Sequence, residues 1–147
     1  MQPTLIMCIG NRGGGDDAIG PYIADRMKNQ TKDDLIIDCG TTPENYTSTV
    51  KQQKPHTLIL IDATEMNLPP GTIRTIPKEK IGTMHISTHG IPLSILMTYL
   101  EKEVPTIIMI GIQPQRMSGP MSSTVKKNAD ELIELLKKHR YEKIPSL

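Results

Sequence analysis

Four short, unbroken apolar runs constrain this chain more than any other feature. They occupy residues 5–9, 35–37, 57–61 and 106–112, and end respectively at Gly10, Asp38, Asp62 and the Gln113-Pro114 pair. Runs this short cannot span a bilayer, which takes roughly 20 apolar residues. They are also too continuous for strands with one wet face, so they fit strands buried on both sides of a parallel sheet. The intervening segments carry helical spacing. Ile19, Ile23 and Met27 follow Asp16-Asp17, and Pro21 suits a first turn. Thr42-Pro43-Glu44 reads as an N-cap with proline at the first helical position, opening a helix that runs to about Gln53. Leu93, Leu96 and Leu100, with Ile95 and Tyr99, describe a helix face within 91–101, and Ser122, Ser123 and Thr124 open a final helix with the stripe Val125, Ala129, Leu132, Ile133 and Leu136. Residues 72–76, fenced by Pro69-Pro70-Gly71 and Pro77, read as an edge strand antiparallel to the rest, and 78–88 as a loop. The alternation predicts one three-layer α/β/α domain over 1–147, with a mostly parallel, twisted sheet of about five strands flanked by helices.

Composition narrows the function. The 147 residues include nine Met and four Tyr but no Phe and no Trp, so the core is aliphatic and there is no aromatic platform on which single-stranded nucleic acid could stack. Seventeen basic side chains nearly cancel sixteen acidic ones, leaving no broad attraction to nucleic acid or anionic membrane. Cys8 and Cys39 are too few for a disulfide scaffold and form no C-x-x-C pair, which fits a reducing cytoplasm. Cys8 follows a short apolar stretch, as in a lipoprotein signal, but no basic segment precedes it, so 5–9 is read as a strand.

In open α/β sheets, ligands gather beyond the carboxyl ends of the strands. Asp16 or Asp17, Asp38, Asp62 and the Gly111-Ile112-Gln113-Pro114 turn all follow strand ends and are expected to share one rim. The glycine-rich loop there is no nucleotide motif: G-x-G-x-x-G begun at Gly10 meets Arg12, and a P-loop would need Lys and Ser or Thr where Asp16-Asp17 stand. Two carboxylates at a helix start would also repel phosphate. Helix capping is the plain alternative for these two residues. Several crowded carboxylates, however, need a cation, a shared proton or donated hydrogen bonds. Aspartate oxygens with a histidine nitrogen suit nickel or zinc. His56 precedes a strand and His139 ends the last helix, so both read as structural or solvated, whereas His85 and His89 lie in the loop before the Leu93 helix.

Taken in order, Gly10-Asn11, Asp16-Asp17-Ala18-Ile19-Gly20, Asp38 before Gly40, Ile61-Asp62-Ala63-Thr64, Ser87-Thr88-His89 and Gly111-Ile112-Gln113-Pro114 resemble the hydrogenase maturation endopeptidases. The resemblance runs from residue 5 to 136. It is nearest the branch maturing the hydrogenase-3 type of large subunit, through 38–45, 62–74 and 88–93. It implies removal of a C-terminal extension from the large-subunit precursor of a NiFe hydrogenase once nickel is inserted, with the substrate-borne metal as the recognition signal. By motif position Asp17, Asp62 and His89 correspond to the metal-contacting residues, zinc or a similar ion being an alternative occupant in vitro. Asp17, Asp62 and Asp38 are the catalytic candidates, acting either as general base on water or beside a metal that activates it. The first loop departs from the family pattern in carrying Gly13-Gly14 in place of bulky apolar residues, and the loop over 116–121 is short. The expected protein is a cytoplasmic monomer whose partner is that precursor, not nucleic acid or membrane. A nickel-binding chaperone without peptidase activity and, less well matched, a nucleotide-binding domain are the alternatives.

Overall fold

The computed structural model describes residues 3–82 and 91–147. Five strands, β1 (Thr4–Ile9), β2 (Leu35–Gly40), β3 (Thr57–Ala63), β4 (Ile73–Thr75) and β5 (Thr106–Ile112), form one sheet in the order β2-β1-β3-β5-β4. All neighbours are parallel except β4, which runs antiparallel to β5 with Ile73 opposite Ile112. The proline-fenced edge strand is therefore found as expected.

Period-two alternation sorts the buried strand residues onto two faces. Leu5, Met7 and Ile9 of β1 and Leu58 and Leu60 of β3 pack with α2 (Thr47–Gln53), the single turn α3 (Lys78–Ile81) and α4 (Leu93–Leu100). Ile6, Cys8, Ile59 and Ile61 pack on the other side with α1 (Ile19–Met27) and α5 (Ser123–Lys137). The continuous apolar runs of β1 and β3 thus have a physical cause: both faces are covered. Strand order reverses direction between β1 and β3, since the chain leaves β1 toward β2 on one side and returns to β3 on the other. The helices in those connections, α1 and α2, accordingly lie on opposite faces, and the crevice where they part opens at the carboxyl ends of β1 and β3.

Three local expectations shift. The helix announced by Thr42 begins as a 3-10 turn, Pro43–Tyr46, before becoming α2, and the Thr42 side chain makes no cap bond. The segment beginning at Lys78 is not all loop, because Pro77 starts a helical turn that buries Ile81 in the core; residues 83–88 of that expectation lie outside the described residues. Ser122 is the N-cap residue of α5, yet its hydroxyl does not cap. No helix among the described residues is long and apolar enough to cross a membrane.

The join between β1 and α1 is made by two glycines. A Cβ on Gly20 would lie 2.1 Å from the Ile9 carbonyl oxygen, and one on Gly10 would lie 1.9 Å from that of Asp17. Backbone meets backbone there, so no side-chain adjustment relieves the overlap. We expect Gly20→Ala to destabilise the fold by about 3 kcal/mol or more, measured by chemical unfolding against an exposed Ala control elsewhere in the chain.

Candidate active site

The loop after β1 places two adjacent aspartates in different environments. Residues Gly15–Ala18 form a 3-10 turn, and neither aspartate caps it through its side chain. Asp16 is fully buried and turns toward the loop after β5. Its Oδ2 accepts from the backbone amides of Gln115 at 2.8 Å and Arg116 at 3.0 Å. Its Oδ1 accepts from the Ser122 amide at 2.7 Å, and the Ser122 hydroxyl lies 3.0 and 2.8 Å from the two oxygens. Burial pushes this carboxyl up, but the donated hydrogen bonds outweigh it and hold Asp16 below the usual carboxylate range.

Asp17 has a different partner: its Oδ2 accepts from the Asn11 amide at 3.0 Å. Its charge also acts on Asp62, which ends the apolar run of β3 and is only 2% exposed. Burial first, then the neighbouring Asp17 charge, drives the Asp62 carboxyl well above its ordinary value, against a smaller opposing bond from the Ala63 amide. The structure therefore brings Asp17 and Asp62 together at the β1/β3 switch point. An electrostatically strained carboxylate pair of this kind either shares a proton or accepts a cation.

Asp38 lies on β2, across β1 from β3, which by strand spacing is roughly 10 Å from Asp62. It is tied instead to Arg12, whose Nη2 donates to Asp38 Oδ2 at 2.6 Å while the guanidinium forks onto Asp25 of α1 at 2.8 and 2.9 Å. Asp38 Oδ1 also accepts from the Gly40 amide at 3.0 Å. Arg12 adjoins Asn11, so Asp38 steadies the loop that carries Asp17. In the sequence Arg12 stands out only as the residue that breaks a G-x-G-x-x-G match. Its pairing depends on Asp25 and Asp38, distant in sequence, and no local pattern announces it.

Gln113 has a defined task in the last motif. Its side-chain oxygen accepts from the Met66 amide at 2.6 Å and its nitrogen donates to Glu65 at 2.8 Å, while its backbone bonds Thr72 and Gly71. The segment immediately after Asp62 is thereby fixed to the end of β5. His89 and His85 lie outside the described residues. His56 and His139 are placed away from this rim, His56 before β3 and His139 beside Asp34 at 3.0 Å. Both cysteines are buried; burial pushes the Cys8 thiol far up and the Cys39 thiol up to about 12, so both serve packing.

These environments give opposite stability effects. A depressed pKa means Asp16 stabilises the fold above the ordinary carboxylate value of about 4, and that contribution is lost as pH falls below it. Asp16→Asn, which turns a donor toward the Gln115 and Arg116 amides, is expected to cost about 3 kcal/mol at pH 7. Asp62 has a raised pKa, so its burial opposes folding above about pH 4. Asp62→Asn is expected to raise the thermal midpoint by a few degrees at pH 7, and the gain should vanish in acid, where wild type is already protonated in both states. Thermal scans from pH 3 to 8 read both effects.

Comparison with known proteins bears on what such a site is for. The family model of HycI, hydrogenase maturation protease, matches residues 21–139. The Hydrogenase 3 maturation protease of Escherichia coli K12 is 33% identical over 136 residues, covering 90% of this chain and 87% of its own. A crystal structure of the Hydrogenase 3 maturation protease superposes with a TM-score of 0.92 at 30% identity, over 99% of this chain and 97% of that one. The NiFe hydrogenase maturation protease HycI from Thermococcus kodakarensis KOD1 gives 0.85 at 32% identity, over 93% and 91%. This chain belongs to the hydrogenase maturation protease family, in its hydrogenase-3 branch, and is by that membership a peptidase.

Proposed function

We propose that the protein is an endopeptidase that removes the C-terminal extension of a NiFe-hydrogenase large-subunit precursor after nickel has been inserted. The observation that carries this reading is the Asp17–Asp62 pair, in which a buried carboxyl with a raised pKa faces a second carboxylate at the switch-point crevice. A divalent cation arriving with the substrate would offset the repulsion and favour the ionised form of Asp62. The donor set suits it: two aspartate oxygens, with His89 proposed as the nitrogen ligand, fit a borderline ion such as nickel better than magnesium or calcium. Such a site binds loaded precursor and discriminates against empty precursor, which supports cleavage timed to follow metal insertion.

For the cut itself, Asp17 and Asp62 are proposed to hold the attacking water between them, one carboxylate accepting its proton as the C–O bond forms and passing it to the leaving amine nitrogen as the C–N bond breaks. Asp38, held by Arg12, keeps the Asn11 loop and so Asp17 in place.

The test is incubation with nickel-loaded and nickel-free precursor, followed by mass measurement of the large subunit. Wild type should shorten the loaded subunit and leave the empty one intact. Asp62→Asn and His89→Ala should slow the cut by about 100-fold or more, the scale on which loss of one proton-handling group registers. Binding of loaded precursor without shortening would favour a nickel chaperone, and cleavage indifferent to both substitutions would overturn the site.

A further inference from the structure

Helix α4 has a face that the fold does not use. Leu93, Leu96, Met97 and Leu100 are buried against the sheet. On the outer side Ile95 is 57% and Tyr99 45% exposed, and Ile91, at 39%, stands four residues before Ile95. These are three of the five exposed large apolar side chains among the described residues, and intervals of four put them in one line along the helix. Ile95 and Tyr99 line a shallow hollow with Ser94, Thr98 and Lys102. Core packing accounts for the inner stripe and gives no reason for a second one facing water.

The outer stripe starts at the carboxyl rim. Only Glu101 to Pro105 separate Leu100 from the first residue of β5, so the last turn of α4 lies at the amino edge of the sheet and its first turn toward the rim. His89, the nitrogen ligand proposed above, precedes Ile91 by two residues in the sequence. From Ile91 to Tyr99 the stripe descends roughly 12 Å. Its three side chains present on the order of 250 Å² together, against about 800 Å² that each partner of a stable complex buries. That is too little to hold a second copy of this chain by itself. It suits the flank of a larger contact, and the adjoining part is the crevice that the substrate must enter.

Tyr99 is held ready for such a contact. The Lys51 ammonium of α2 donates to its hydroxyl and lies 4.4 Å from the ring centroid. A ring already fixed loses little conformational freedom when a partner covers it. Lys51 and Lys102 flank this end of the stripe, opposed by Glu103, while Glu101 is engaged by Lys78 at 2.6 Å.

We propose that the outer face of α4 is a docking surface for the folded body of the large-subunit precursor. An aliphatic patch of the precursor covers Ile95 and Tyr99 and a carboxylate meets Lys102, while its C-terminal segment lies in the crevice. This inference rests on the endopeptidase reading, and it divides substrate selection between the metal at the rim and the contact along α4.

The test is steady-state cleavage of nickel-loaded precursor by wild type, Ile95→Glu, Ile95→Leu, Tyr99→Ser and Lys102→Glu. Leu35→Gln, at an exposed apolar position on the far edge strand β2, is the control. Ile95→Glu and Tyr99→Ser should each raise KM about 10-fold or more, the scale of a central interface side chain, with kcat and the thermal midpoint little changed. Lys102→Glu should raise KM about 3-fold, and less at high salt. Ile95→Leu and Leu35→Gln should keep the wild-type KM. An unchanged KM for Ile95→Glu or Lys102→Glu, a fall in kcat in place of a rise in KM, or an equal penalty from Leu35→Gln would overturn the proposal. So would wild type sedimenting as a dimer that Ile95→Glu dissociates, which gives the face to a second copy. If wild type leaves the loaded precursor uncut, the endopeptidase reading fails, and titration of that precursor decides the docking. A loss of affinity of about 10-fold on Ile95→Glu then upholds it, and equal affinity or no binding overturns it.

Discussion

The carboxylate of Asp16 accepts from the amides of Gln115, Arg116 and Ser122 and from the Ser122 hydroxyl, and these bonds fasten the loop after β1 to the loop after β5. The two strands are not neighbours, since β3 lies between them. Whatever rises from the end of β3 is therefore framed on both sides by loops clasped to each other. Asp62 is that residue. Its burial and its raised pKa both depend on the frame holding, because an open loop would admit water and return the carboxyl toward its ordinary value. One buried anion satisfied by four donors thus allows a second, poorly satisfied anion to persist beside it.

Division of labour within Asp16-Asp17 follows from the 3-10 turn that contains them. Successive residues of a tight helix point about a third of a turn apart, so one carboxylate reaches the β5 loop while the other accepts from Asn11 at the switch point. The glycines are part of the same construction. Gly10 and Gly20 let the turn and α1 press against the end of β1 without an intervening Cβ. A looser contact there would leave Asp17 farther from Asp62 and weaken the interaction that sets the character of the pair.

Much of this was legible in the sequence, for identifiable reasons. Buried parallel strands leave continuous apolar runs, and the residues closing 5–9 and 57–61 mark the switch-point crevice because strand ends in a parallel sheet face one way. Asp62 and one of the pair Asp16-Asp17 could be placed at one rim on that argument alone, and only the motif resemblance singled out Asp17. Ser122 and Arg12 could not. Ser122 has an N-cap residue's identity and position, and only the buried Asp16 across the crevice diverts its hydroxyl. Arg12 acquires meaning from Asp25 and Asp38, which lie 13 and 26 residues away. α3 was missed because one helical turn carries no periodicity; it is specified by Pro77 before it and by the burial of Ile81. His89, expected from its motif, lies outside the described residues.

Near-neutral net charge hides the arrangement that matters most. Acids and bases balance over the chain, yet at the carboxyl rim Asp17, Asp38 and Asp62 are set against Arg12, and Arg12 is held by Asp25 as well. Folding cannot select for such an imbalance, because a buried carboxylate near another carboxylate opposes compaction at neutral pH. Aliphatic packing on both faces of β1 and β3 supplies the stability that tolerates it. Under the proposed function, a cation arriving with the substrate offsets that cost, because it relieves the repulsion that helps raise the Asp62 carboxyl. By the same reading, that relief is what would let the rim favour a precursor carrying a metal over the same chain without one.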